Sequence, residues 1–149
     1  SEITSQAGWS PDTPRDALAR TVSDLRSGRI RVSLFVDPQE ASIRWAAKMG
    51  ADRVELYTEP FARAFERGDT YARESFSAYM RAAELAHSLG LGVNAGHDLN
   101  RDNLGAFLAA VPGVLEVSIG HALVADALEL GMAETVRAYR RAIELSQRR

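Results

Sequence analysis

Two short stretches of this sequence end in a glycine followed by a titratable ring. Val93-Asn94-Ala95-Gly96-His97 is a mostly apolar run that opens into a tight turn and presents a histidine. Ser118-Ile119-Gly120-His121 repeats that design about one βα unit later. An imidazole titrates near neutral pH, so His97 is a candidate general acid or base. The plainer alternative is a loop histidine without a role, but two histidines leaving neighbouring strand ends are better explained by one shared site. Gly120-His121 stands at the start of a short helix, where unpaired backbone N–H groups carry positive partial charge and a glycine lets an anion approach the main chain. Here the alternative is a glycine kept for turn geometry alone.

Two further polar residues lie inside apolar strand patterns. Glu55 sits between Val54 and Leu56, so it shares a strand face with Tyr57 and not with its neighbours. A lone carboxylate there is costly unless it is paired or used, which leaves an ion pair with an arginine or a site residue as the options. Asn94 in the Val93–His97 run suggests an orienting hydrogen bond to a neighbouring strand end or a ligand. Asp37, at the end of an earlier strand, is more simply a helix N-cap. His87 lies late in a helix and reads as structural, or as a favourable cation at a helix C-terminus. The sequence has no P-loop, no GxGxxG fingerprint, no HExxH and no clustered metal ligands.

The elements that must position these residues follow from periodicity and punctuation. Residues 1–12 read as a loop containing Trp9. Thr13-Pro14 starts a helix with Leu18, Val22 and Leu25 on one face and Gly28 as its stop. A strand covers Ile30 to Val36, and Asp37, Pro38 and Glu40 predict the cap and first turn of a helix that carries Ile43, Trp45, Ala46 and Ala47 to Gly50. The second strand is Arg53 to Thr58. A short helix from Glu59-Pro60 to Gly68 and a longer one from Asp69 to Gly90 follow it, a segment placed to cover the strand's C-terminal end. Leu91 to Ala95 is the third strand, Asn100 to Ala110 a helix and Val114 to Ile119 the fourth strand. Ala122 to Leu130 and a last amphipathic helix with Val136, Tyr139, Ile143 and Leu145 complete the order. Strands alternating with helices in this way predict an α/β protein built of parallel right-handed βα units, in which ligands bind at the C-terminal strand ends. Four strands cannot close a (β/α)8 barrel, so residues 1–149 are expected to be half of one.

Composition limits the function classes. The 149 residues are 46% hydrophobic, enough for one domain with a sizeable core. With 18 Lys and Arg against 20 Asp and Glu, the formal net charge of -2 argues against nucleic acid or an anionic membrane as partner. The absence of cysteine excludes disulfides and thiolate metal sites and fits a cytoplasmic protein. No apolar run is long enough to span a membrane and no secretory leader stands at the start. The first residue is Ser1 rather than Met, which suggests a piece of something longer.

Taken together, Arg31-Val32-Ser33-Leu34-Phe35-Val36-Asp37, Val54-Glu55-Leu56-Tyr57-Thr58, Val93-Asn94-Ala95-Gly96-His97 and Ser118-Ile119-Gly120-His121-Ala122 resemble the pyridoxine 5'-phosphate synthase family, in its order and at its spacing. Glu2-Ile3-Thr4-Ser5 looks like the family's loop after the fourth strand. The resemblance implies a TIM barrel of which strands 5 to 8 are present, with the remaining bases and phosphate contacts on strands 1 to 4. It implies the condensation of 3-amino-2-oxopropyl phosphate with 1-deoxy-D-xylulose 5-phosphate to pyridoxine 5'-phosphate, phosphate and water, a transferase step of vitamin B6 biosynthesis needing no metal or redox cofactor. By the same resemblance His97 is the proton donor and Glu55 the carboxylate that stabilises cationic or proton-transfer intermediates. Gly120 and His121 contact the amino ketone phosphate, and Thr4 the sugar phosphate. The family's commonest pattern has Gly at the position of Asp98, so Asp98 is carried over only as a backbone contact to phosphate.

The family's habit of forming multimers implies a homo-oligomer. An isolated half would expose open sheet edges and be inactive as a synthase. Two other classes remain open at this point: a non-catalytic phosphate-binding half-barrel that self-associates, and another sugar-phosphate barrel enzyme such as an epimerase.

Overall fold

The computed structural model describes residues 7–146, so Thr4 lies outside the described residues. Four strands alternate with helices. They are β1 (Ser33–Val36), β2 (Arg53–Tyr57), β3 (Gly92–Gly96) and β4 (Val114–Ser118), hydrogen-bonded in that order and all parallel. The helices are α1 (Arg15–Ser27), α2 (Glu40–Lys48), α3 (Glu59–Glu66), α4 (Asp69–Ser88), α5 (Leu104–Ala110), α6 (His121–Leu130) and α7 (Met132–Ser146). Sequential parallel pairing through helical crossovers is the arrangement of a run of βα units, as expected.

The period of two along each strand divides the sheet into unlike faces. Leu34, Val36, Val54, Leu56, Val93 and Ala95 are buried against the helices, where they meet Ile43, Trp45 and Ala46 of α2, Tyr79, Ala83 and Ala86 of α4, and Leu104 and Phe107 of α5. Phe61 of α3 completes an aromatic cluster, with ring centroids 5.3 Å from Phe76, 5.1 Å from Phe107 and 6.4 Å from Tyr79. The opposite face carries Phe35, Arg53, Glu55, Tyr57, Asn94, Glu116 and Ser118, since the register sets Glu55 opposite Asn94 and Asn94 opposite Glu116. It is the face that would line the interior of a barrel.

Several boundaries differ from the pattern-based reading, each for a local reason. The ladder of β1 begins at Ser33, not Ile30: Arg29 takes a positive φ of 60° and Ile30 is exposed. Asp37 does not cap α2, which starts at Glu40 after Gln39. Its Oδ1 instead accepts the Gly8 N–H at 3.2 Å, part of the seam where Trp9 N–H also donates to the Phe35 carbonyl at 2.7 Å. Pro14 rather than Thr13 occupies the N-cap of α1. α5 begins at Leu104 because Asn100 and Asn103 fold the intervening residues into a side-chain-bonded turn. On α1, Val22 is buried but Leu25 faces out; on α7, Tyr139 is buried whereas Val136 and Leu145 are exposed. Trp45 packs as expected, although its indole N–H finds no partner among the described residues. His87 stands in the last turn of α4, and its ring covers Gly113, where an added Cβ would fall 2.4 Å from Cε1.

Phe61 is fully buried and meets four other rings, Phe65 included, so Phe61→Ala is expected to cost about 3–5 kcal/mol of folding stability. Urea unfolding followed by circular dichroism measures it, and a loss under about 1 kcal/mol would show that the aromatic cluster is not central to the core.

Candidate active site

The C-terminal ends of β3 and β4 meet in one cleft of about 300 Å³, lined among others by His97, Asp98, Ser118, Gly120 and His121. Both strand-Gly-His ends thus open into a common space, and α3 adds Arg63 and Glu66 to its wall. Gly120 occupies the N-cap of α6 and His121 its first turn. A Cβ on Gly120 would meet no described atom within 4 Å, so this glycine leaves the backbone at the helix end open to a ligand. The Gly120 and His121 side of the cleft is exposed, whereas His97 is half-buried.

The His97 ring is set by aromatic neighbours. Its centroid lies 5.0 Å from that of Tyr57, edge-on, and 6.2 Å from Phe35. Burial raises the Tyr57 hydroxyl's pKa, and the nearby Glu59 carboxylate raises it further, so the phenol stays neutral beside the imidazole. The end of β2 that presents Tyr57 is anchored from behind: the Tyr79 hydroxyl of α4 donates to the Tyr57 carbonyl at 2.9 Å. Burial also drives the Tyr79 pKa upward, keeping that donor protonated. His97 and Asp98 both have positive φ, 93° and 58°. For residues other than glycine such conformations cost on the order of 1–3 kcal/mol each and persist only where surrounding structure enforces them.

Glu55 points from the inner face into an adjoining cleft with Gly8, Trp9, Ser10 and Phe35. Among the described residues no arginine pairs with it; its Oε2 accepts a hydrogen bond from the Ser118 hydroxyl at 3.2 Å. That bond links the carboxylate to the wall of the histidine cleft. The neighbouring arginine is used elsewhere: Arg53 is 2.8 Å from Glu116, donates to Asn94 Oδ1 at 3.0 Å, and shares Glu116 with Arg31. Asn94 also donates to Glu116 Oε2 at 3.4 Å. The Asn94 amide therefore joins the neighbouring strands in register with Glu55, and it is not among the residues that line either cleft.

Ser118, Arg63 and Glu66 were not singled out from the sequence. Ser118 was findable, because it lies two residues before Gly120 on the strand face shared with Glu116. Arg63 and Glu66 were hidden among other surface charges of a helix. Arg63 forms an i,i+4 ion pair with Glu59, and nothing in that spacing marks the pair as a cleft wall.

Gly96 explains how Glu55 reaches Ser118 across β3. An added Cβ at residue 96 would stand 2.3 Å from Glu55 Oε1 and 3.0 Å from Ser118 Cβ. Gly96→Ala should therefore displace the carboxylate and lower stability by about 1–3 kcal/mol, as overpacking does. Denaturant unfolding measures the loss, and a crystal structure of the variant should show the Glu55–Ser118 bond broken; an intact bond would mean that the strand yields instead.

Comparison with known proteins bears on the same residues. A family model described as "Pyridoxal phosphate biosynthesis protein PdxJ" matches residues 1–145. The chain is similar to proteins named pyridoxine 5'-phosphate synthase from Porphyromonas gingivalis, 51% identical over 93% of this chain and 57% of that protein, and from Albidiferax ferrireducens, 51% identical over 95% and 56%. A third, from Christiangramia forsetii, is 47% identical over 92% of this chain and 56% of its own length. The chain thus spans a little over half the length of the curated relatives it matches. Because the family match runs through the β2 carboxylate and both glycine-histidine strand ends, the chain belongs to the family of the pyridoxal phosphate biosynthesis protein PdxJ.

Proposed function

We propose that residues 1–149 form the C-terminal half, strands 5 to 8, of the (β/α)8 barrel of a pyridoxine 5'-phosphate synthase. The enzyme condenses 3-amino-2-oxopropyl phosphate with 1-deoxy-D-xylulose 5-phosphate, releasing pyridoxine 5'-phosphate, phosphate and water. The observation that carries this reading is the single cleft shared by His97 and Gly120-His121 at the C-terminal ends of two adjacent parallel strands, where such folds bind ligands. The coverage of the named relatives, a little over half their length, supports the half-barrel assignment.

In this reading the α6 N-terminus, Gly120 and His121 hold the amino ketone phosphate, with the backbone at Asp98 as a further contact. Thr4 would contact the sugar phosphate. His97 donates protons from within the cleft. Glu55, held by Ser118, stabilises cationic intermediates as they form. Imine formation, elimination and ring closure all move protons among carbonyl, amine and hydroxyl groups, which is work for a histidine and a carboxylate. Two phosphate handles orient two small substrates against these groups. Asn94, opposite Glu55, is a further substrate-binding residue in this reading, held by Arg53 and Glu116 across β2, β3 and β4. The enzyme works as a cytoplasmic homo-oligomer.

The test is to supply the full-length protein with both substrates and follow pyridoxine 5'-phosphate and inorganic phosphate. Binding of both substrates without product would favour a non-catalytic phosphate-binding module, and isomerised sugar phosphate from one substrate alone would favour an epimerase. His97→Ala should lower turnover by about 10²-fold or more while the melting temperature stays close to that of the parent; unchanged turnover would remove His97 from the mechanism. For His121→Ala the expected change is an increase in KM of about tenfold, the loss of one charge-assisted hydrogen bond, with kcat retained. Steady-state kinetics in each substrate separates the two effects.

A further inference from the structure

We propose that Thr58 and Asn103 are positioning residues, which clamp the strained turn after β3 and so fix the direction in which His97 enters the cleft. The inference rests on the catalytic role proposed above for His97.

Three successive carbonyls at the end of β3 accept hydrogen bonds from these two residues. The Thr58 N–H donates to the Gly96 carbonyl at 3.0 Å, and the Thr58 hydroxyl donates to the His97 carbonyl. Asn103 Nδ2 donates to the Asp98 carbonyl at 3.1 Å. Thr58 is 0% and Asn103 1% exposed, so the donor end of each bond is buried. Thr58 follows β2 and Asn103 precedes α5, so the turn is gripped from two elements other than its own strand.

Both residues occupy helix N-cap positions, Thr58 for α3 and Asn103 for α5, and both types are good caps. Among the described residues neither side chain makes a capping bond to its helix. The Thr58 hydroxyl goes to His97, while Asn103 Oδ1 accepts the Asn100 N–H at 2.9 Å and its amide group holds Asp98. Asn103 is itself fixed, because Asn100 Oδ1 accepts its backbone N–H at 3.0 Å. Two local stabilising interactions are thus forgone for bonds that enforce positive φ at two consecutive residues other than glycine. If the turn relaxed toward extended backbone, the Cα–Cβ direction of His97 would rotate, and the ring would leave its edge-on contact with Tyr57. Orientation of this kind is worth orders of magnitude in rate, whereas the part of substrate affinity set by Gly120 and His121 does not depend on the Thr58 hydroxyl.

The experiment is a double-mutant cycle in the full-length protein with both substrates. Thr58→Val keeps the side-chain shape and removes the donor. It should lower kcat about tenfold or more with KM changed less than about twofold, and Thr58→Ser should restore most of the lost turnover. Combined with His97→Ala, Thr58→Val should slow turnover no further, because its effect acts through the missing ring. Asn103→Ala, which breaks the clamp from the α5 side, should lower kcat with the same lack of additivity, and should raise KM as well because it frees the Asp98 backbone. A folded Thr58→Val protein with parental kcat, or independent losses multiplying in the double variant, would overturn the proposal. So would unfolding of both single variants, which would make the two side chains supports of the fold alone. Parental turnover in His97→Ala would instead overturn the catalytic reading of His97 and this inference with it; impaired His97→Ala beside normal Thr58→Val overturns only the inference.

Discussion

The absence of a side chain at residue 96 is the constraint from which the upper part of the site follows. Parallel pairing sets Gly96 between Tyr57 on β2 and Ser118 on β4, and the Glu55 carboxylate lies in the space that a Cβ would fill. With that space open, a residue of β2 bonds directly to one of β4 across the intervening strand. The surrounding residues are ordered by the same register. Arg53, one layer earlier on β2, interlocks with Asn94 and Glu116, which stand in register with Glu55, and the rings of Phe35, Tyr57 and His97 pack together on the same face toward the strand ends. A glycine at the end of β3 thus does two things: it lets the carboxylate cross the sheet, and it leads into the turn that carries the imidazole.

Stability and specificity are divided between the two faces of the sheet. The helix-covered face holds Val36, Val54, Leu56, Val93 and Ala95 at 0% exposure, and burial of such side chains at about 25 cal/mol per Å² is the principal favourable term in folding. The polar face contributes little by comparison where it is wet: the Arg31 and Glu116 side chains are about half exposed, the range in which ion pairs give roughly 0–1 kcal/mol. Arg53 is different, since its side chain is 15% exposed and meets both Glu116 and Asn94. A slip of one residue would bury these charges among the helices and expose the aliphatics, so the polar layer fixes register while the apolar layer supplies the energy.

What the sequence disclosed and what it hid can be traced to the range of the interactions involved. Alternation in Arg53–Tyr57 put Glu55 and Tyr57 on one face, and glycines after apolar runs marked both strand ends, because those signals are local. The ends of elements were less legible. Asp37 looks like a cap by spacing, but its carboxylate is recruited by Gly8, 29 residues away. Asn100 looks like a helix start, but it and Asn103 spend their side chains on a turn. The Glu55 partner Ser118 lies 63 residues away in sequence, and Arg53 reaches Asn94, 41 residues away, and Glu116 on β4. No period or spacing reports on contacts of that kind, so sequence alone does not say whether an arginine pairs with Glu55.

Asp98 joins the backbone and electrostatic arguments. Its φ of 58° is a conformation glycine adopts freely. Aspartate is among the few other residues that tolerate it. The Asp98 carbonyl is taken by Asn103 and its side chain is exposed, so the turn requires a backbone conformation here and not a particular side chain. The aspartate nevertheless brings a negative charge to a cleft that already contains Glu66, with Arg63 as the fixed cation in its lining. An anion held there would be held by directed donors, the amides at the start of α6 and the His121 ring, and not by a net positive field. A chain of net charge -2 can bind phosphate on those terms, because a helix N-terminus acts over one turn and is not cancelled by acidic residues spread over the remaining surface.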